Sequence, residues 1–199
     1  MYPAIKRIID VFVSVLGLAI LSPVLLVTAI AIKVDSRGDV LFLQDRIGLN
    51  GRTFKMIKFR SMCVGAEKGG VYSTKNDLRV TRVGKFIRAT SIDELPQFIN
   101  ILKGDMSLIG PRPTLTYHPW PLEKYSQEQK KRFLVRPGVT GWAQVNGRKE
   151  IHWDRRLMLD VEYVNNLSFT FDMKIFFMTI AKVLAMKDNV NVGETALKS

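Results

Sequence analysis

The sequence predicts a membrane-associated α+β protein, and three features of the chain indicate this fold class. An uncharged apolar run extends from Val11 to Ile32, enough for a membrane helix of roughly 33 Å. Two strand-like runs flank Asn50-Gly51, a pair that tolerates positive φ and so predicts a β-hairpin. Amphipathic and apolar helical segments follow. With 199 residues, 47% of them hydrophobic, the chain is large enough to bury a core.

The apolar run contains Ser22-Pro23 at its midpoint. Proline lacks a backbone N–H and clashes with the preceding turn, so the sequence predicts a break there. Each half alone, about 15 Å long, is too short to span a bilayer. Lysine and arginine flank the run on both sides, and the positive-inside rule places both flanks in the cytoplasm. A re-entrant helix-break-helix and an ordinary spanning helix both remain open, because proline also occurs in spanning helices.

The remaining elements follow from local patterns. Strands are expected at 40–44 and 53–59, and helices at about 91–102, 127–135, 151–165 and 171–186. Ser126 and Gln129 form a capping-box pattern that opens the second of these helices. The last helix is so apolar that it must pack against the protein or lie on lipid.

Lys and Arg outnumber Asp and Glu by 30 to 18, which predicts an anionic partner. Nucleic acid is not expected, because the arginines stand in loops beside Gly or Pro and not on a basic helix or an aromatic strand. That placement favours phosphate groups held by guanidinium and backbone N–H donors. A membrane anchor would explain only the first 35 residues, whereas an enzyme acting on phosphorylated substrates at a membrane explains both features.

The stretch SIDELPQ places two adjacent carboxylates, Asp93 and Glu94, before a proline. A structural interpretation is a capping box between Ser91 and Glu94, with acidic residues at a helix N-terminus. A catalytic interpretation is that one carboxylate is a nucleophile or ligand while the other holds a divalent cation. Mg²⁺ suits the second interpretation, because it binds through few carboxylates together with substrate phosphates. The pattern alone leaves both open.

Several long motifs, in order, resemble the small monotopic phosphoglycosyl transferases, bacterial sugar transferases that act on polyprenyl phosphate. The motifs are IKRIIDVFVSVLGLAILSP, KFRSM, FIRATSIDELPQFINILKGDMSLIGPRP, VRPGVTGWAQVNGR and LDVEYVNNLSFTFDMKIF. The resemblance runs nearly end to end, and the layout is close to the Campylobacter type that acts in protein glycosylation.

The resemblance implies a re-entrant membrane helix over residues 1–35, broken at Ser22-Pro23, and a catalytic domain with interfacial helices over residues 36–199. It places that domain on the cytoplasmic face of the bacterial inner membrane. It assigns Asp93 as the nucleophile and Glu94 as support for Mg²⁺, so that both carboxylates lie at the metal. Its other functional positions fall on Lys58, Arg88, Arg112, Arg148 and Asp160. Thr114 departs from the family pattern, in which Leu is common, and leaves loop packing and sugar fit open there.

The reaction that the resemblance implies has two steps. Asp93 attacks the β-phosphorus of a UDP-sugar and releases UMP, and the phosphate of undecaprenyl phosphate then attacks the aspartyl phosphosugar. This would be the first membrane step of glycoconjugate or polysaccharide assembly. The resemblance favours an N-acetylated sugar, including a 6-deoxy diacetamido sugar, and leaves the oligomeric state open.

Other interpretations remain beside this one. A regulatory scaffold with a degenerate site belongs to another functional class, and a multi-pass transferase could make the same product without a covalent intermediate. Lys58 and the arginines could be solvated or paired at the surface, and Asp160 could only orient Arg148 or cap a structural element. Trp142 could stack on uracil, although a packed loop tryptophan is the simpler interpretation.

Overall fold

The computed structural model describes residues 2–70, 77–147 and 151–184. The elements, in chain order, are α1 (Tyr2–Asp35), β1 (Leu41–Ile47), β2 (Thr53–Phe59), α2 (Arg82–Ala89), α3 (Gln97–Lys103), β3 (Ser107–Ile109), α4 (Gln127–Lys130), β4 (Gly138–Thr140), α5 (Trp142–Val145), α6 (Trp153–Asn165) and α7 (Phe169–Leu184). Short 3₁₀ turns occur at Leu49–Gly51, Ala66–Gly69, Ile92–Glu94, Leu122–Lys124 and Lys131–Leu134. The predicted α+β class, with a long apolar N-terminal helix and a small hairpin, is confirmed.

Helix α1 is, within the described residues, the helix long and apolar enough to cross a membrane. It continues through Ser22-Pro23, where the sequence predicts a break. Pro23 has no N–H to donate to the carbonyl of Ala19, and the Ser22 hydroxyl donates to that carbonyl instead, at 2.8 Å. One local hydrogen bond thus satisfies the group that proline leaves unpaired, so the helix is not interrupted.

Both ends of α1 contact the same body of the protein. Near its start, Lys6 Nζ lies 2.7 Å from a carboxylate oxygen of Asp172 on α7. At its end, Asp35 accepts a hydrogen bond of 3.0 Å from the backbone N–H of Val83 on α2. The buried residues between these contacts share one face of the helix: Asp10, Ser14, Thr28 and Ile32. Contacts near both of its ends therefore dock α1 along the rest of the described protein.

The hairpin of β1 and β2 supplies one wall of the site. The strands are antiparallel, and Phe42 pairs with Lys58 in the register. Asn50 and Gly51 have φ of 54° and 76°, which confirms the predicted turn. Because side chains alternate along a strand, residues 42, 44 and 46 share a face with Lys58.

A second, parallel pair of strands positions the loop after β3. Ser107 pairs with Gly138 and Ile109 with Thr140. A Cβ atom on Gly110 would lie 2.4 Å from the carbonyl oxygen of Arg136, so only glycine permits this approach of the two segments. The Pro111-Arg112-Pro113 segment therefore leaves the sheet from a fixed point.

The capping box of Ser126 and Gln129 is confirmed, and α4 ends at Lys130 in a 3₁₀ turn. The two C-terminal helices lie within two residues of their predicted bounds. Trp142 packs against Phe171, with ring centroids 4.9 Å apart, as expected of a packed loop tryptophan.

Candidate active site

A cleft of about 450 Å³ opens between the hairpin, the turn that carries Asp93 and Glu94, and the Pro111-Arg112-Pro113 loop. The predicted site residues that line it are Lys58, Arg88, Asp93, Glu94 and Arg112. Strand β2, the last turn of α2, a 3₁₀ turn and a loop thus converge on one cavity. A mostly concave site with a few converging charged groups is the usual form of a small-molecule site.

The carboxylate pair lies on the 3₁₀ turn Ile92–Glu94. Ser91 has φ of 58° and makes no capping hydrogen bond, so the predicted capping box, and a helix beginning at Ser91, are wrong. Helix α3 begins only at Gln97. Left-handed backbone at a non-glycine residue costs of order 1–3 kcal/mol and concentrates at functional sites. The chain adopts it immediately before the two carboxylates.

Glu94 is held by two cations. Its Oε1 accepts hydrogen bonds from Lys58 Nζ at 2.9 Å and from Arg112 NH2 at 2.6 Å, and Arg112 NH1 lies 3.4 Å from Oε2. The Glu94 side chain is 12% exposed. Attraction to Glu94 is the main reason that the pKa of Arg112 is raised. Glu94 therefore fixes the positions of Lys58 and Arg112 in the cleft.

Asp93 differs from its neighbour, because its carboxylate makes no hydrogen bond or ion pair with another described residue. Burial raises its pKa; Lys58 opposes that rise, the charge of Glu94 adds to it, and Arg88 and Arg112 oppose it further. Burial likewise lowers the pKa of Lys58. A carboxylate without such a partner, beside cations of the kind that bind phosphate oxygens, can act chemically as a nucleophile toward phosphorus.

A magnesium ion fits this pair of carboxylates when substrate phosphates complete its coordination. No group of three or more His, Cys, Asp or Glu side chains that could hold a metal occurs in the described ranges. Mg²⁺ is usually held by one or two carboxylates plus substrate oxygens, so such a group is not required. Glu94 Oε1 already accepts from two cations, and Asp93 is the more available ligand.

The structure places Asp160 outside this cleft. It is 3% exposed on α6, and its Oδ2 accepts from Arg132 Nε at 3.0 Å and from NH2 at 2.7 Å. Arg148 lies outside the described residues. Ser22 and Pro23 lie on the exposed face of α1.

Arg132, which the sequence does not single out, connects Asp160 to the cleft. Its NH2 donates to the carbonyl of Arg112 at 2.7 Å, and its NH1 donates to the Thr114 hydroxyl at 3.3 Å. Asp160 thus acts through Arg132 on the loop that carries Arg112. Thr114, which departs from the pattern that the resemblance implies, is thus a hydrogen-bond acceptor for Arg132.

Two further polar residues, Gln44 and Arg46, lie on the wall of the cleft and were not predicted from the sequence as site residues. Arg46 NH1 donates to the carbonyl of Pro113 at 3.0 Å, and NH2 donates to Gln44 Oε1 at 2.6 Å. Burial, followed by repulsion from Arg112, lowers the pKa of Arg46 to about 9, which leaves it charged at neutral pH. The alternation of side chains along β1 was the sequence signal available for both residues. Since Phe42 pairs with Lys58, residues 44 and 46 point to the same side of the hairpin.

Comparison with known proteins places these residues in a family. A relative from Aeromonas hydrophila, named UDP-N-acetylgalactosamine-undecaprenyl-phosphate N-acetylgalactosaminephosphotransferase, is 45% identical over 187 residues, which cover 92% of this chain and 44% of the relative. The UDP-glucose:undecaprenyl-phosphate glucose-1-phosphate transferase of Escherichia coli is 45% identical over 184 residues, 89% of this chain and 40% of the relative. A sugar transferase of Bacillus subtilis, named EpsL and uncharacterized, is 42% identical over 180 residues, 90% of this chain and 87% of the relative.

The chain thus spans less than half the length of the first two of these relatives and most of the third. The resemblance to the Campylobacter type in particular stays a prediction. The family model for bacterial sugar transferases matches residues 1–186. The chain therefore belongs to the bacterial sugar transferase family.

Proposed function

We propose that this protein transfers a sugar phosphate from a UDP-sugar to undecaprenyl phosphate and releases UMP. The observation that carries the proposal is the unbonded Asp93 carboxylate in a cleft that also holds Lys58, Arg88 and Arg112. The names of the Aeromonas and Escherichia relatives describe transferases of this kind, acting on undecaprenyl phosphate. A regulatory scaffold with a degenerate site would not need charged side chains that contact one another in a cleft.

In the first step, a carboxylate oxygen of ionised Asp93 attacks the β-phosphorus. The bond between that phosphorus and the bridging oxygen breaks, and the electron pair leaves with UMP. Lys58 and Arg112, held by Glu94, stabilise the charge on the phosphoryl and leaving oxygens. Arg88 adds a positive charge on the side of Asp93.

In the second step, a phosphate oxygen of undecaprenyl phosphate attacks the phosphorus of the aspartyl phosphosugar. The acyl phosphate bond breaks and returns the electron pair to Asp93, so the enzyme is regenerated. A covalent intermediate divides one difficult transfer into two easier ones. Bound Mg²⁺, with Asp93 and Glu94 as its protein ligands, would reduce the repulsion between carboxylates and diphosphate.

The proposed site of action is the cytoplasmic face of the bacterial inner membrane, with residues 1–35 re-entrant through a bend at Ser22-Pro23 that keeps the helix continuous. The docking of both ends of α1 on one body supports this placement, because the catalytic residues then remain on one side. Helix α7 supplies further apolar surface for lipid, since Phe169, Phe176 and Phe177 are exposed. A donor from the cytoplasm and a lipid phosphate at the membrane surface could both reach such a site.

The sugar is proposed to be N-acetylated, with a 6-deoxy diacetamido sugar among the candidates and protein glycosylation or polysaccharide assembly as the destination. One relative is named for N-acetylgalactosamine and another for glucose at the same identity of 45%. The residues shared by all three proteins therefore do not select the sugar, and a substrate panel is needed.

Nucleotide release from a panel of UDP-sugars tests the proposal. The purified protein receives Mg²⁺, undecaprenyl phosphate and one UDP-sugar at a time, and UMP and UDP are separated by chromatography. We expect UMP with at least one sugar, a loss of at least about 10³-fold in Asp93→Asn, and unchanged membrane association. Omitting Mg²⁺ should also abolish release. UDP as the product would contradict the mechanism, and absence of release from every sugar would favour the scaffold interpretation.

A further inference from the structure

Tyr117 presents an aromatic ring on the wall of the cleft. The residue is 60% exposed and makes no hydrogen bond or ring contact with any other described residue. Buried aromatic rings in this protein, by contrast, pack against neighbours, as Tyr125 does against Phe133 at 5.3 Å. An exposed ring without an aromatic partner, on the wall of a cleft, offers a planar surface on which a flat ligand group can stack.

Arg46 connects the Arg112 loop with the segment that carries Tyr117, since it forms an antiparallel bridge with Leu115, two residues before Tyr117. Its NH1 donates to the carbonyl of Pro113, the residue after Arg112. Arg112 in turn contacts Glu94 at 2.6 Å. These contacts therefore link Glu94, Arg112, Arg46 and the segment of Tyr117 in that order along the wall of the cleft.

The covalent structure of a UDP-sugar matches this order. When the β-phosphorus lies at Asp93, the α-phosphate is one bridging oxygen away, and the ribose and the base extend beyond it. Arg112 and Arg46 offer guanidinium donors at the position where the α-phosphate would follow. The base then reaches the end of the cleft where Tyr117 lies.

Gln44 adds a directional polar group at this end. Its Oε1 accepts from Arg46 NH2 at 2.6 Å, which fixes the orientation of the amide. The amide nitrogen makes no hydrogen bond to the described part of the chain, so its N–H donors remain for a ligand. Uracil offers carbonyl oxygens as acceptors, and Phe42 adds apolar surface beside Gln44.

We propose that this end of the cleft, formed by Phe42, Gln44, Arg46 and Tyr117, binds the nucleoside of the donor, with the Tyr117 ring stacked on the pyrimidine base. The inference rests on the proposed function, because it takes a uridine nucleotide as the donor. It adds a specificity role for Tyr117 and Gln44, and it assigns the undecaprenyl phosphate to another part of the cleft.

Binding of UMP without turnover tests the inference. The full chain in phosphatidylglycerol-containing nanodiscs is titrated calorimetrically with UMP and, separately, with ribose 5-phosphate, which lacks the base. We expect Tyr117→Ala to weaken UMP binding about tenfold and to leave ribose 5-phosphate unchanged, because base stacking on an aromatic ring is lost. Tyr117→Phe retains the ring and should keep UMP affinity within about twofold. Leu134→Ala, an exposed truncation outside the cleft, is the matched control.

Steady-state kinetics with the UDP-sugar identified by nucleotide release completes the test. Tyr117→Ala should raise the KM for the UDP-sugar and leave the KM for undecaprenyl phosphate unchanged. Unchanged UMP affinity in Tyr117→Ala would overturn the inference, and so would an increase confined to the KM for undecaprenyl phosphate, which would assign this end to the lipid acceptor. A wild-type protein that binds UMP through Tyr117 but releases none from any UDP-sugar would instead contradict the proposed function and leave the nucleoside site standing.

Discussion

Two groups of charged residues lie on either side of the Pro111-Arg112-Pro113 loop, and they differ in how many of their side chains have a hydrogen-bonding partner. Behind the loop, the side chains of Arg132 and Asp160 are 2% and 5% exposed and bind each other. Facing the cleft, Glu94 is bound by two cations while Asp93, its neighbour, has no hydrogen-bonding partner among the described residues.

The difference is the one expected between a structural ion pair and the proposed catalytic site. The Arg132–Asp160 pair is buried and hydrogen-bonded, and Arg132 also donates to the backbone carbonyl of Arg112. The pair therefore holds the backbone of that loop in place. A cleft in which cations outnumber carboxylates, and in which one carboxylate is unbonded, has capacity left for an anionic substrate. Both groups lie in segments that contain acidic and basic residues. The sequence therefore does not distinguish the two groups, and the geometry of their contacts does.

The largest expected effect on stability comes from Asp160→Asn. The substitution leaves Arg132 charged and buried without its counter-ion, and breaking a buried pair in this way costs about 3–5 kcal/mol. The thermal midpoint in nanodiscs should fall sharply. Turnover at a temperature where the variant is folded should also fall, because the loop that carries Arg112 loses its support.

Asp45→Asn is the matched control, since it makes the same chemical change in a surface pair with Lys55 whose side chains are 49% and 63% exposed. An exposed pair of this kind contributes about 0–1 kcal/mol. Equal effects of the two substitutions would contradict the structural role assigned to Asp160.

The opposite sign is expected for Asp93→Asn in metal-free protein. Burial raises the folded-state pKa of Asp93, so its protonated form favours the folded state, and this stability is lost as pH rises through the raised pKa. Asp93→Asn should therefore increase stability by about 1 kcal/mol, the size usual for a single stabilising substitution. The gain should grow as pH rises above the ordinary Asp value of about 3.9.

Thermal midpoints of wild type and Asp93→Asn, measured in EDTA across pH 4–8, check this sign. Added Mg²⁺ should reduce the difference, because a ligand that binds the ionised, folded protein stabilises it. A midpoint that falls in Asp93→Asn at every pH would show that Asp93, like Asp160, holds the fold.

The two capping-box patterns show how far local sequence predicts this molecule. Ser126 and Gln129 form the predicted box, and no other residue in the described part of the chain binds the Gln129 side chain. In SIDELPQ the same pattern fails, because Lys58 and Arg112 bind the Glu94 side chain and Ser91 adopts left-handed backbone. Tertiary contacts to the Glu94 carboxylate override a local preference there.

The hairpin and the cleft residues Lys58, Asp93, Glu94 and Arg112 were predictable, because turn chemistry and long family motifs locate them. The Arg132–Asp160 pair was not, since its members lie 28 residues apart and follow no local period. Its effect on the Arg112 loop appears only when the fold brings α6 against that loop.

The smallest expected effect concerns Thr114, which is 3% exposed and accepts from Arg132 NH1 at 3.3 Å. Thr114→Val keeps the shape and removes the acceptor, so one donor of a buried guanidinium loses a hydrogen bond. A cost of about 1 kcal/mol is expected, as for a typical intramolecular hydrogen bond, with little change in turnover because Asp160 still holds Arg132. In the Asp160→Asn background the same substitution should cost less, since both changes release one side chain. A double-mutant cycle of thermal stability measures that coupling, and additive effects would mean that Thr114 and Asp160 act on the loop independently.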